Sequence, residues 1–235
     1  MKNIFHITAI LFLVFVANDL SAQQRRRPTL SFGAQVSQPR GQFGHVYDGY
    51  PAGLAGSFAG PLGNSPFEVG FGLAWNSMGS QDEDVSAFVG TDMAGDSIYE
   101  EGTMRIRSNN NRFQLLGRFR PFNGMIQPYG EVLAGIDMYK TKTDITLNGN
   151  GYTEANNDIR QHFDLTYNIG WAAGLRVRIA PNVFVDGRFE NLLGGPANYV
   201  DQESIQVVDE SKITFETMES HTDRYTYQLG ITIGF

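Results

Sequence analysis

Residues 162–179 read HFDLTYNIGWAAGLRVRI. The odd positions Phe163, Leu165, Tyr167, Ile169, Trp171, Ala173, Leu175, Val177 and Ile179 are all apolar. The even positions, with Asp164, Asn168, Arg176 and Arg178 among them, are polar or small. A period of two held over this length gives a strand one greasy and one polar face. A helix would scatter the same residues around its circumference.

The pattern recurs on both sides of this stretch. Tyr225, Tyr227, Leu229, Ile231, Ile233 and Phe235 alternate with Arg224, Thr226, Gln228, Gly230, Thr232 and Gly234. Phe67, Val69, Phe71, Leu73 and Trp75 oppose Glu68, Gly70, Gly72, Ala74 and Asn76. Leu30, Phe32, Ala34 and Val36 oppose Ser31, Gly33, Gln35 and Ser37. Four weaker segments complete the set. Residues 54–60 are small and Gly-rich, 113–119 have Leu116 out of pattern, 129–139 have mixed faces, and 183–189 have Phe184 out of pattern. Eight strands and no helix are expected after the N-terminal segment. An even count lets an up-and-down antiparallel sheet close on itself.

The connections fall into two classes. Residues 61–66, 121–127 and 180–182 are short turns rich in Pro, Gly and Asn. Residues 38–51, 77–103, 141–161 and 193–222 are long, polar and largely acidic. Short and long alternate throughout, so one rim of the barrel is tight and the other elaborate. That is the asymmetry of an outer-membrane barrel, with short periplasmic turns and long outer loops whose flanks continue the strands beyond the membrane.

Composition narrows the alternatives. The 235 residues hold 18 Lys and Arg against 25 Asp and Glu, a net charge of −7, which argues against a nucleic-acid partner. There is no cysteine, which excludes disulfides, thiol catalysis and a lipoprotein anchor. Mean hydropathy is −0.26, and no apolar run after the N-terminus is long enough for a membrane-spanning helix. At the start, Lys2 precedes an apolar run, and Leu20-Ser21-Ala22 offers a small-residue cleavage site. Residues 1–22 therefore read as a signal peptide, 23–28 as a basic tail and 29–235 as the barrel.

The apolar face should point outward. Its side chains are too bulky to fit inside eight strands, and the opposite face carries Gly and Ala suited to a concave wall. Trp75 and Tyr225 fall toward the long-loop side and Phe67 and Phe235 toward the turn side, as two aromatic belts. Trp171, in mid-strand, does not fit them. The polar face then places a charge network in the lumen. Its candidates are Glu68, Arg118, Glu131, Asp137, Asp164, Arg176, Arg178, Asp186, Arg188, Glu190 and Arg224. Its cations are all arginine, whose planar fork suits carboxylates. A packed polar plug is expected rather than a wide pore, which needs about 16 strands.

From Thr29 to Phe235 the chain resembles the small outer-membrane β-barrel family, often called the porin family, of the eight-stranded type. The resemblance rests on the signal peptide, the alternating last strand and its end. Tyr225, Tyr227, Leu229, Gly230, Ile231, Ile233 and Phe235 match that family's C-terminal assembly signal. This implies an outer-membrane location, lipid and lipopolysaccharide as surroundings, and the barrel assembly machinery as a partner during biogenesis. An envelope protein partner of unknown identity is also compatible. Members of the family serve different ends, so fold does not settle function.

Signs of chemistry are sparse. His162 with Asp164 and His221 with Asp223 are His–carboxylate pairs near the long-loop rim, but no G-x-S-x-G motif accompanies them. Rim salt bridges are the expected role. Asp144 to Gly149 resembles the start of a calcium loop, yet Ala155 stands where Glu is needed. No catalytic, cofactor or metal residue is therefore assigned. The Asp82-Glu83-Asp84 and 96–101 clusters read as a solvated acidic rim, and Arg25-Arg26-Arg27 as a disordered basic tail, with contact to periplasmic headgroups as the alternative. The expected role is structural or surface interaction. The alternatives are an accessory barrel for secretion or small-solute permeation, and a lipid A-modifying enzyme.

Overall fold

The computed structural model describes residues 26–46, 49–91, 94–147, 162–200, 206–209, 212–214 and 217–235. The signal peptide expected at 1–22 lies outside the described residues. The chain runs β1 (Thr29–Pro39), α1 (Gly41–Val46), β2 (Ala52–Pro61), β3 (Phe67–Thr91), β4 (Ser97–Phe119), β5 (Ile126–Leu147), β6 (His162–Ala180) and β7 (Val183–Gly194). Four short strands follow, β8 (Pro196–Val200), β9 (Gln206–Asp209), β10 (Lys212–Thr214) and β11 (Thr217–His221), and the chain returns as β12 (Arg224–Gly234). Strands β1 to β7 and β12 form one closed antiparallel barrel, in which β12 pairs with both β7 and β1. The eight-stranded up-and-down barrel expected from the alternation is the observed fold.

The faces are inverted relative to a soluble protein. Val132 is 68% exposed and Leu229 66%, while Arg176 and Glu190 are 0% exposed. Apolar side chains outside and charges inside follow directly from the period of two, because each strand turns alternate residues to opposite sides. Segment 129–139 resolves on the same rule. Tyr129, Glu131, Leu133, Asp137 and Tyr139 are buried inside, and Val132 and Ile136 face out. The two out-of-pattern residues also point inward. Leu116 packs with Ala59, Leu133, Ala172 and Leu192 in an apolar layer of the lumen, and Phe184 is buried.

The long connections extend the strands at their flanks, as expected, but carry more regular structure than loops. Residues 77–103 are not an irregular loop but the upper part of a hairpin. β3 follows β4 from Phe67 opposite Phe119 to Thr91 opposite Ser97, whereas β2 leaves β3 at Ser77. β5 accompanies β4 as far as Leu147, beyond the last β6 partner at Thr141. A three-stranded sheet therefore rises past the rim. Alternation persists there, with Met104 and Ile106 buried and Arg105 and Arg107 exposed. The connection 193–222 holds two small two-stranded sheets, β8 with β11 and β9 with β10. Connection 38–51 contains α1, a helix that the strand pattern does not anticipate.

Three glycines explain how the ring closes and fills. Gly33 and Gly230 face each other across the β1–β12 seam. A Cβ on Gly230 would lie 2.2 Å from the Phe32 carbonyl oxygen, so only glycine permits this approach. A Cβ on Gly174 would lie 2.2 Å from Cζ of Tyr129, so that glycine leaves room for the Tyr129 ring. Trp171 also finds its place outside. It meets Phe189 with ring centroids 5.6 Å apart, and Phe189 meets Tyr225 at 5.5 Å and Tyr227 at 5.3 Å. The four rings make one continuous aromatic patch across β6, β7 and β12.

Candidate functional site

The lumen is the most organised polar region among the described residues. Toward the turn side, Glu68 of β3 receives Arg120 Nε at 2.8 Å and Arg118 NH1 at 3.4 Å. Arg118 of β4 also donates to Glu131 of β5. Arg188 of β7 donates from Nε to the other Glu131 oxygen at 2.8 Å. Asp186 accepts Arg176 Nε at 2.9 Å, the Tyr129 hydroxyl at 2.8 Å and the Thr232 hydroxyl at 2.8 Å. The Tyr129 ring is flanked by two guanidinium groups, Arg118 at 4.8 Å and Arg176 at 4.9 Å from its centroid.

Toward the loop side a second group gathers. Asp137 accepts Arg224 NH2 at 2.6 Å, Asn168 Nδ2 at 2.9 Å and Asn110 Nδ2 at 3.1 Å. Gln114 donates to Asn168 Oδ1 at 2.9 Å, and Gln35 donates to Asn76 Oδ1 at 2.8 Å. Glu190 pairs with Arg112 at 2.9 Å and with Arg188. Arg188 thus touches both Glu131 and Glu190 and joins the two groups. Above them, α1 packs onto the mouth. Phe43, 1% exposed, meets the Tyr139 ring edge-on at 5.7 Å, with Ala197 and Met78 beside it.

Of the sequence-read candidates, Glu68, Arg118, Glu131, Asp137, Arg176, Asp186, Arg188, Glu190 and Arg224 meet in this lumen. Asp164 and Arg178 do not. Asp164 has the right parity but sits at the loop-side rim, where it accepts the N–H groups of Leu165 and Asn198. Arg178 lies at the turn-side mouth and donates to the carbonyls of Asn123 at 2.9 Å and Gly124 at 3.2 Å. Sequence reasoning missed Arg112 and Arg120. Arg112 shares the parity of Gln114 and Arg118, but the sequence pattern starts that strand at Phe113, which leaves Arg112 outside it. Arg120 lies one residue past the end of the same strand.

Both members of the His221–Asp223 pair are engaged at Gly194. Asp223 accepts the Gly194 N–H at 3.0 Å, and His221 Nδ1 lies 3.2 Å from the Gly194 carbonyl. The His162 side chain and residue 155 lie outside the described residues. Asp144 sits 3.4 Å from Arg107, residues 148–155 of that stretch lie outside the described residues, and no metal-ligating cluster occurs among the described residues. On the protruding sheet, Arg105 forks onto Asp82 at 2.7 and 2.8 Å. That hydrogen bond holds the Asp82 carboxyl below its ordinary value.

The outer membrane protein beta-barrel domain family matches residues 7–233. No curated protein matches in sequence. Among solved structures, the attachment invasion locus protein Ail of Yersinia pestis, in complex with the heparin analogue sucrose octasulfate, is 14% identical, with a TM-score of 0.46 over 89% of this chain and 99% of that one. Neisserial surface protein A, from Neisseria, is 10% identical, with a TM-score of 0.45 over 90% and 99%. A major outer membrane protein from Thermus thermophilus is 11% identical, with a TM-score of 0.46 over 88% and 99%.

Proposed function

This chain belongs to the outer membrane protein beta-barrel domain family, and from that premise we propose that it is a non-conducting surface barrel acting through its protruding sheet. Its place is the bacterial outer membrane. The observation that carries the reading is the hairpin. β3 continues from Ser77, its last partner on β2, to Thr91, about 45 Å of extended chain at about 3.3 Å per residue. Residues 78–107 hold seven acidic and two basic side chains, so this surface is strongly negative. Ile98 and Tyr99 are exposed near its tip. An extended, acidic sheet with an apolar tip suits contact with an envelope or surface partner, or with divalent ions bridging lipopolysaccharide phosphates.

The plugged lumen is supported by the interlocked charge network and by Phe43 in the upper mouth. Planar-bilayer recordings of the refolded protein test it. No steady conductance is expected, and a stable open state would transfer the function to small-solute permeation. No catalytic role is proposed. Lipid A extracted from cells overproducing the protein is expected to be unmodified, and a new lipid A species would restore the enzymatic alternative.

A further inference from the structure

The two ends of the barrel differ in charge. The loop end is acidic, whereas the turns 61–66, 121–127 and 180–182 contain no charged residue at all. The charged side chains that line the mouth at the turn end are arginines, with Glu68 buried behind them. A cavity of about 940 Å³ opens there, lined by Arg26, Arg27, Arg120, Arg178, Asn123 and Gln127 among others, and no carboxylate side chain among the described residues lines it.

Three of these arginines are held in place: Glu68 neutralises Arg120, whereas backbone carbonyls anchor Arg26 and Arg178. Arg120 is paired with Glu68 and donates to Gln127 at 2.8 Å. Arg178 is fixed by two backbone carbonyls, with its guanidinium 5.5 Å from the Phe184 ring centroid. Arg26 donates to the carbonyls of Arg120 and of Pro121, the latter at 3.0 Å. Arg27 is exposed. Behind them the lumen is balanced: Arg112, Arg118, Arg176, Arg188 and Arg224 match Glu68, Glu131, Asp137, Asp186 and Glu190 in number, so no carboxylate there is left over for the mouth. A concave wall with excess positive charge focuses field lines and concentrates anions. Guanidinium forks match the tetrahedral oxygens of phosphate.

We propose that this turn-side mouth is a binding site for phosphate groups, from either a phospholipid headgroup of the inner leaflet or a soluble phosphorylated solute. Arg27 and Arg178 supply the forks, Arg26 closes the back of the cup, and Asn123 adds polar lining. The basic tail at 25–27 then has a defined role, because Arg26 is tied to the chain beyond β4 and carries Arg27 to the edge of the cavity.

The test uses the mature protein, folded in maltoside micelles and titrated calorimetrically with inorganic pyrophosphate. A parallel arm compares its thermal stability in nanodiscs of phosphatidylglycerol and of phosphatidylcholine. Saturable pyrophosphate binding that weakens with salt, stabilisation specific to phosphatidylglycerol, or both, is expected, and which arm responds identifies the source of the phosphate. The double variant Arg27→Gln with Arg178→Gln should lose about tenfold in affinity, or the lipid-specific stabilisation, while keeping its heat-modifiable gel migration. Arg27→Gln alone changes an exposed side chain without an ion pair among the described residues, so folding is not at stake, and about threefold should be lost. No response to either probe overturns the proposal. So does binding that the folded double variant retains in full or, if that variant does not fold, binding unchanged in Arg27→Gln.

Discussion

Arginine–carboxylate pairs occur in two regions of this molecule and do different things in each. On the protruding sheet, Arg105 and Asp82 form a two-pronged fork with side chains 50% and 48% exposed. In the lumen, Arg188 reaches Glu131 and Glu190 with side chains at 9%, 0% and 0%. The exposed fork has the more regular geometry, yet water and salt compete for both partners, so it orders the surface and holds little together. The buried pairs have no such competitor. Their attraction offsets the cost of stripping water from each ion, and removing one partner strands the other. Geometry alone does not rank ion pairs; access to water does.

That contrast can be broken from the inside outward. Arg188→Ala should have the largest effect, since it leaves Glu131 and Glu190 each short of a cation and parts the two lumen groups. A loss of about 3–5 kcal/mol is expected in urea unfolding followed by heat-modifiable gel migration. Wild-type stability in that variant would mean that water already reaches the lumen. Tyr129→Phe keeps the ring between Arg118 and Arg176 and removes only the hydroxyl on Asp186. It should cost about 1.5–3 kcal/mol by the same assay, because the lost hydrogen bond is to a charged group.

Arg105→Gln should be the smallest, with no change in unfolding. Its signature is local. Asp82 titrates below its ordinary value of 3.8 because Arg105 favours the ionised form. The contribution of the pair is therefore present above 3.8 and fades as pH falls through the lower folded value. A carbon-13 titration of Asp82 should find its midpoint back near 3.8 in Arg105→Gln. A midpoint that stays depressed would show that another group, not Arg105, holds it.

The barrel was legible because lipid outside and charge inside impose a strict period of two, as residues 163–179 show. What blurred the reading was the lumen's need to fill volume. Leu116, Leu133 and Phe184 sit on the polar face because charged and amide groups alone leave gaps there. The strand ends were less legible. Met104, Arg105, Ile106 and Arg107 continue the alternation, but the acidic and glycine-rich surroundings at 77–103 read as loop chemistry, and Arg112 was lost because the strand was started at Phe113. Asp164 shows the opposite error, since parity selects a face but not a height along the barrel. Helix α1 carried no signal, because its six residues owe their place to Phe43 seated against Tyr139 rather than to any periodicity.

The β1–β12 seam joins Ser31 to Thr232, 201 positions apart in the chain, through a hydrogen bond of 2.7 Å. Such a contact costs close to the full loop-closure entropy of the polypeptide before it returns anything. The seven other ladders of the barrel join neighbours in the strand sequence, so the ring is zipped by local steps and sealed by one remote one. Until Gly33 and Gly230 meet, β1 and β12 each present a row of unpaired backbone groups that hydrocarbon cannot satisfy. The open sheet is therefore a species the bilayer rejects, and insertion and closure have to proceed as a single event.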